Sequence, residues 1–467
     1  MAKGSNVKRG FLDYFMIFIF IIIAALMITV AYMLFSPFKS VLGFKYVNYN
    51  KSEIVNTDTT TNAEINFTTL DDIYVNTSYA NVEVIRYAKI DKPSIKISNN
   101  VAGFARANQD TSFSYKIDYN SSDKSAIITV SEPKAFWFLN KSISVSIMVP
   151  TAYSTSFENT NLNVVTKSGR VYLGNNNKVA SGDNYITLKS INVKSNSGRL
   201  QLRPYLRGNI QSLFFKSDSA SIDSYINLNI SNNLNIYSGT GYLNFDKINY
   251  SGSDNIILDL KHSKFSAKEM TGDIDIKIQS GYVDIKKLNG NFISNDAVHQ
   301  MGYATINIKE ISGHISLPYA SKADIHVGIL SSGSQVFINS TSGNITIDEL
   351  RGDAWLETSS GNVKVHTYSR DISVKTKTGK IDVDYDSSSI SNEINLESTS
   401  GLINLRLRSG LSCKIAIYNQ KGEIRKSSKN INIEFMSGDF VNPLFLNGGN
   451  KLIKIVSDGK VNIALIG

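Results

Sequence analysis

The chain has 467 residues, 42% apolar and 19% charged, with a net charge of +9, only 7 prolines and a single cysteine. That balance places it in the globular range with room for one large or two to three ordinary domains. The lone Cys413 excludes an intramolecular disulfide and any Cys-based metal site. Lysines and arginines are scattered over alternating strand positions rather than clustered, so nucleic acid is not an expected partner. A mild attraction to anionic envelope polymers or lipid headgroups is the most the charge implies.

Residues 1–13 read as a short cytoplasmic tail carrying Lys3, Lys8 and Arg9. Residues 14–35, YFMIFIFIIIAALMITVAYMLF, contain no charge. At about 1.5 Å per residue this run reaches roughly 33 Å and spans a hydrocarbon core of about 30 Å. A cleavable signal peptide has an apolar region of only about 7–15 residues and a small-residue cleavage site. Bulky Tyr32, Met33 and Leu34 do not fit one. The reading is an uncleaved, single-pass anchor whose partner is the lipid bilayer. The basic tail sets N-in, C-out orientation in the cytoplasmic membrane, although Lys39 and Lys45 weaken the contrast. Phe11, Tyr14, Tyr32 and Phe35 suit the two interfacial belts.

Residues 36–62 are polar and end in NTDTTTN, which reads as an irregular juxtamembrane spacer. Residues 63–150 contain seven alternating segments, AEINF, DIYV, NVEVIRY, SIKIS, SFSYKIDY, SAIITV and SISVSIMVP. Period two predicts strands, forming an N-terminal β-module that caps the repeats beyond it. The cluster AFWFL from Ala135 to Leu139 reads as core packing.

Residues 151–467 carry a repeated phrase: a hydroxyl residue, glycine, then apolar residues two and four places on. It appears as KSGRVYL, SNSGRLQL, GTGYLNF, MTGDIDI, QSGYVDI, ISGHISL, TSGNITI, SSGNVKV, KTGKIDV and TSGLINL. Gly169, Gly198, Gly241, Gly272, Gly281, Gly313, Gly343, Gly361, Gly379, Gly401 and Gly459 all head such segments. Gly343, Gly352 and Gly361 lie 9 residues apart, and Arg370 holds the halfway place before Gly379. The glycine meets a tight corner that needs positive φ or has no room for a Cβ, and the hydroxyl before it can cap the turn. Ile345, Ile347, Val363, Val365, Ile381, Val383, Ile403 and Leu405 should point inward. Asn344, Thr346, Asn362, Lys364, Lys380, Asp382, Asn404 and Arg406 should point outward. One such strand cannot bury its own face, so copies must stack. The expected fold is all-β, a β-solenoid or single-stranded β-helix, because no four-strand blade period of a propeller emerges.

The passage SISVSIMVPTAYSTSFENTNLNVVTKSGRVYL and the iterated Ser-Gly-x-Ile/Val-x-Ile/Val phrases after it resemble the bacterial "putative adhesin" family, a domain of unknown function with repeated β-architecture. In that family a strand ending in Val-Pro leads into the repeats, matched here by Val149 and Pro150. The resemblance covers Ser142 to Gly467, with long irregular insertions between Gly198 and Gly272 and around Gly313 to Gly343. It implies no catalytic residues.

Few residues suggest chemistry. His262, His299, His314, His326 and His366 are dispersed without metal-ligand spacing. Asp273 with Asp275, and Asp382 with Asp384, can share a strand face as a glycosidase pair would, but interleaved lysines favour solvated carboxylates. SGDN at Ser181 to Asn184 and TGD at Thr271 to Asp273 read as turns. So does RGD at Arg351 to Asp353, whose glycine keeps the nine-residue cadence. Cys413 reads as inert. No catalytic, cofactor-binding or metal residue is expected, and no cofactor. The chain reads as a non-enzymatic, membrane-anchored extracytoplasmic β-repeat protein, an adhesion or envelope-interaction scaffold whose partners are envelope glycans or surface proteins. Alternatives are a self-assembling envelope solenoid, pairing through the C-terminal edge at GKVNIALIG, and a carbohydrate-active β-helix enzyme.

Overall fold

The computed structural model describes residues 11–35, 40–41, 44–133, 137–151, 157–176, 185–294, 301–367, 371–387, 393–418, 423–426, 444–446 and 451–466. The apolar run forms one helix, Phe11–Phe35, in which the window Tyr14–Ala31 has a mean hydropathy of 2.8 and none of its surface buried. It is long and apolar enough to cross a membrane. The side chains of Phe11, Tyr32 and Phe35, three of the four belt residues, lie outside the described residues.

The rest is a parallel β-solenoid in which each strand pairs with the strand two before and two after it. Ile345–Leu350 pairs in parallel with Asp324–Leu330 on one side and Val363–Thr367 on the other. Asp353–Thr358, next in sequence, instead pairs with Gln335–Ser340 and Ile372–Thr376. One coil therefore contributes a strand to each of two stacks. It spans 18 residues here, as in the bond from the Asn362 amide to Asn344 Oδ1. The nine-residue cadence is half a coil, and Gly343 and Gly352 sit at different corners. Every residue expected to face inward is buried, and between them run the polar or charged positions expected to face out. Stacking makes the core continuous: Ile325, Ile345, Val363, Ile381, Ile403 and Val461 form one column in register. Burying each such side chain is worth roughly 1.5–3 kcal/mol.

The corner glycines stack directly. Gly343, Gly361, Gly379, Gly401 and Gly459 form one column. A Cβ on Gly361 would stand 1.9 Å from the Gly343 carbonyl oxygen, and one on Gly379 would stand 1.8 Å from that of Gly361. Neither has positive φ, so lack of space rather than backbone conformation demands glycine there. The stretches that read as long insertions are coils of the same stack. The paired strands place Ala220, Ser263, Ala304 and Ala323 in this column, where no glycine marks the corner. Gly272, Gly290, Gly313, Ser334 and Gly352 form a second column at the other corner.

The capping hydroxyl is not the one beside the glycine. Buried Thr166, Ser340, Thr358, Thr376 and Ser398 lie three residues before it and accept its amide at 2.8–3.1 Å. The neighbouring Ser360 and Ser400 are exposed and reach instead to carbonyls of the previous coil.

Both ends depart from simple stacking. The first coil, Asp72–Asn76 and Asn81–Arg86, lies inside the stack, because the chain leaves it, builds a layer outside and returns. Ser125–Ser131 and Trp137–Val149 pair with its outer side, Asn161–Thr166 and Val171–Leu173 with its inner side. The module and the repeats are thus one stack. The outer layer is closed by antiparallel strands, Ser114–Asn120 on one face and Ser94–Arg106 on the other. Residues 44–55, expected as irregular spacer, form a strand antiparallel to Ser94–Arg106. Its Asn, Lys and Ser side chains suit an outermost strand and hide its period. AEINF is not a strand; it leads into a short 3-10 turn at Phe67–Thr69, with Ile65 and Phe67 buried. Glu132 plugs the corner of the first coil, accepting the amides of Tyr79 and Ala80 at 2.8 Å and the Thr77 hydroxyl. The AFWFL side chains lie outside the described residues.

At the far end the expectation of an open C-terminal strand is overturned. Val461–Ile466 pairs in parallel with Ile403–Arg408 on one side, and its residues 461–463 pair with Ile424–Lys426 on the other. Likewise Leu452–Ser457 lies between Glu393–Ser398 and Cys413–Tyr418. The last coil in sequence is inserted beneath an outer layer, which carries the antiparallel strand Leu444–Leu446.

The close approach at the corners makes Gly361→Ala costly: it should lower unfolding stability by about 1–3 kcal/mol, as overpacking does. Gly410→Ala, where a Cβ meets nothing within 4 Å, should change it by less than about 0.5 kcal/mol; equal effects in denaturant titrations would contradict the close-approach account. At the N-terminal end, the Asp58 carboxylate accepts the amides of Tyr119, Thr61 and Thr60 at 2.6–2.7 Å. The Tyr119 amide first, then that of Thr61, holds its pKa down at about 2 against 3.8. Its stabilising effect is therefore complete above the unfolded value and lost as pH falls from about 4 towards 2. Asp58→Asn should flatten stability against pH in that window, and an unchanged acid profile would refute the role.

Candidate functional site: a tyrosine and lysine cleft on the glycine edge

On the outer faces, polar side chains bond from coil to coil rather than converge. Asn404 Nδ2 donates to Asp382 Oδ1 at 2.5 Å, and Asn462 Nδ2 to Asn404 Oδ1 at 2.8 Å. Arg406 binds Asp384 through two nitrogens, one of them at 2.7 Å, and this bond raises the guanidinium pKa further. Asp382 and Asp384 do share a face, but each is engaged by the next coil, so neither is paired with the other as an acid and base would be. Asp273 accepts the backbone and side-chain nitrogens of Asn291 at 2.8 and 3.0 Å and so caps a corner. Asp275 lies beyond it on a strand whose partners at that register are Ile257 and Ile293.

The histidines stay apart. His314 Nδ1 accepts the Gln335 amide at 3.0 Å, and His326 Nε2 meets Asp348 Oδ2 at 2.6 Å. His366 lies opposite Asp384 in register, and His262 Nδ1 meets Ser280 Oγ at 2.5 Å. His299 and SGDN lie outside the described residues. Among the described residues no group of three or more His, Cys, Asp or Glu side chains could hold a metal. In RGD, Gly352 is buried in the second glycine column and Arg351 pairs with Glu349, which makes the tripeptide a corner; the TGD glycine, Gly272, belongs to the same column. Cys413 is fully buried, and burial pushes its thiol pKa up to about 12.

One place along the first glycine column differs from the rest. Beside Gly343, Gly361 and Gly379 the exposed neighbours are Ser, Thr, Asn and Lys. Beside Gly241, Ser263 and Gly281 stand the exposed Tyr242 and Lys264 and the half-buried Tyr282, in register on three successive coils. An open cleft of about 520 Å³ runs between them, floored by Gly241, Ser263 and Gly281 and edged by Thr240 and His262. Tyr242 is 68% exposed, and Lys264 Nζ lies 5.1 Å from the Tyr282 ring centroid. On the next two coils Thr305 and Asp324 take this register position, and Tyr303 and Lys322 stand two residues before them, where Lys322 Nζ donates to Tyr303 Oη at 3.0 Å and lies 4.8 Å from its ring centroid. The cleft lining contains no carboxylate. These residues escape a reading of the repeat by its glycines alone. Their signal in the sequence is the Gly-Tyr pair at 241–242 and 281–282.

The fold and its exterior define a capped parallel β-solenoid. Within it, residues 239–441 match the Toastrack DUF4097 family. That stretch is similar to the Toastrack domain, and it includes Tyr242, Lys264 and Tyr282 of the cleft. No curated protein matches the chain. Similar solved structures include a "putative cell adhesion protein" from Clostridium sporogenes, at 10% identity over 90% of this chain and 100% of that one, TM-score 0.14. A "putative adhesin" from Bacteroides fragilis matches at 9% identity over 90% and 97%, TM-score 0.16. Another from Parabacteroides merdae matches at 10% over 89% and 95%, TM-score 0.14. At such scores these likenesses add nothing to the fold that the strand register shows.

The burial of Cys413 predicts that a thiol reagent at pH 8 leaves the folded chain unlabelled and reacts fully only after denaturation. Rapid labelling of the folded protein would contradict its place in the core.

Proposed function

We propose that the chain is a membrane-anchored, extracytoplasmic and non-enzymatic scaffold that holds its solenoid against envelope glycans or surface proteins. The observation that carries this reading is the outer surface. Among the described residues, titratable groups there bond from coil to coil, as in Asp384 with Arg406 and His326 with Asp348, and no three His, Cys, Asp or Glu side chains gather as a metal site would. A stack of this kind offers long, flat, polar faces suited to extended contact. The resemblance of the repeat phrases to the bacterial adhesin family supports the same reading. The exposed apolar helix Phe11–Phe35 supports a single-pass anchor, and Lys3, Lys8 and Arg9 before it support the N-in orientation.

The test uses the full chain. In intact cells, a protease added outside should degrade the body and spare the N-terminal tail. In detergent, the purified chain should sediment with isolated envelope polymers and leave them uncleaved. Degradation only after the membrane is opened would overturn the orientation, and release of soluble sugar fragments would overturn the non-enzymatic reading.

A further inference from the structure

The cleft at Tyr242, Lys264 and Tyr282 has a chemistry that the remaining edge lacks. We propose that it binds a strand of anionic polysaccharide lying along the solenoid edge, with sugar rings stacked on the tyrosines and acid groups drawn to the lysines. This rests on the scaffold reading and names the ligand class that the scaffold contacts.

Geometry supplies the first argument. Adjacent coils are about 4.8 Å apart, so Tyr242 and Tyr282, two coils apart, present their rings at intervals of about 10 Å. That interval is comparable to the repeat of an extended disaccharide, so alternate sugars of one strand can meet successive rings. An aromatic face suits the C–H face of a pyranose, and a ring 68% exposed beside an open cleft is available to one.

Charge supplies the second. Lys264 stands between the two tyrosines in register, and Lys322 lies beside Tyr303 further along the same edge. Among the described residues neither lysine is in an ion pair, and the cleft lining holds no carboxylate. A uronate carboxylate can therefore form a charge-assisted hydrogen bond with Lys264 Nζ without displacing an internal carboxylate. A neutral polymer would leave that charge unused. Nucleic acid would also bring anions and flat rings, but its bases follow one another too closely for tyrosines two coils apart.

The experiment measures binding of the full chain, in micelles of a zwitterionic detergent, to hyaluronate and alginate, with dextran and single-stranded DNA as comparisons. Wild type should bind one or both uronate polymers, more weakly as salt rises, and prefer them to dextran and DNA. Y242A/Y282A should weaken this by about tenfold or more, as loss of central aromatic contacts does. Y242F/Y282F, which keeps both rings, should stay within about twofold of wild type. K264Q should weaken binding and reduce its salt dependence. Absence of uronate binding, equal dextran binding, a preference for DNA, or an unaffected Y242A/Y282A variant would each overturn the proposal. The two readings fail separately. Envelope-polymer sedimentation that survives in Y242A/Y282A removes the cleft and keeps the scaffold. Uronate binding through the cleft without any envelope-polymer sedimentation removes the scaffold and keeps the cleft.

Discussion

At the corner held by Gly361, Gly379 and Gly401, the carbonyl oxygen of one coil occupies the place where a Cβ of the next would stand, at 1.8–1.9 Å. Every other regularity depends on this approach of backbone to backbone. It lets strands succeed one another at sheet spacing around a turn as well as along a face. It also leaves the corner amide to be satisfied from inside, by the buried hydroxyl three residues earlier. A glycine, a hydroxyl and two alternating aliphatic residues therefore recur together because each covers a different need of one corner: space, a hydrogen bond and burial.

The interior is legible in the sequence for the same reason. Alternation about each glycine identifies Ile345, Val363, Ile381 and Ile403 as core, and all are buried. The glycine phrase identifies a stacked architecture. Coils in which Ala220, Ser263, Ala304 or Ala323 fills the corner stay hidden, because a pattern keyed on glycine skips them. Sequence adjacency points to a capping hydroxyl beside the glycine; the three-residue separation becomes visible only when the chain bends. The excursions at both ends are beyond reach, because which strand neighbours which is a matter of register between distant segments. Nothing in GKVNIALIG distinguishes a strand at an edge from one inserted between two others.

The exterior obeys a different logic. On most coils its side chains serve the stack, as the links from Asp382 through Asn404 to Asn462 illustrate. The polarity of such a surface is plain in the sequence, but uniform polarity carries no address for a ligand. The tyrosine and lysine cleft stands out only against equivalent positions on neighbouring coils, an equivalence that the register supplies. It lies midway along the stack, where coils on both sides hold its floor in place, rather than on a loop.

Both ends of the stack share one device: a layer built outside an inserted coil, finished by antiparallel strands. Insertion takes the last coil in sequence away from the edge position that it would hold in a simple solenoid. It also places Leu452–Ser457 and residues 461–463 near the end of the chain between neighbouring strands. Native-state hydrogen exchange of the full chain tests this most directly, through the amides of Leu452–Ser457 and residues 461–463. The account predicts that they exchange as slowly as those of Ile381–Tyr385, deep in the stack. Rapid exchange, as expected of a fraying chain end, would contradict the inserted coil and the closed stack built on it.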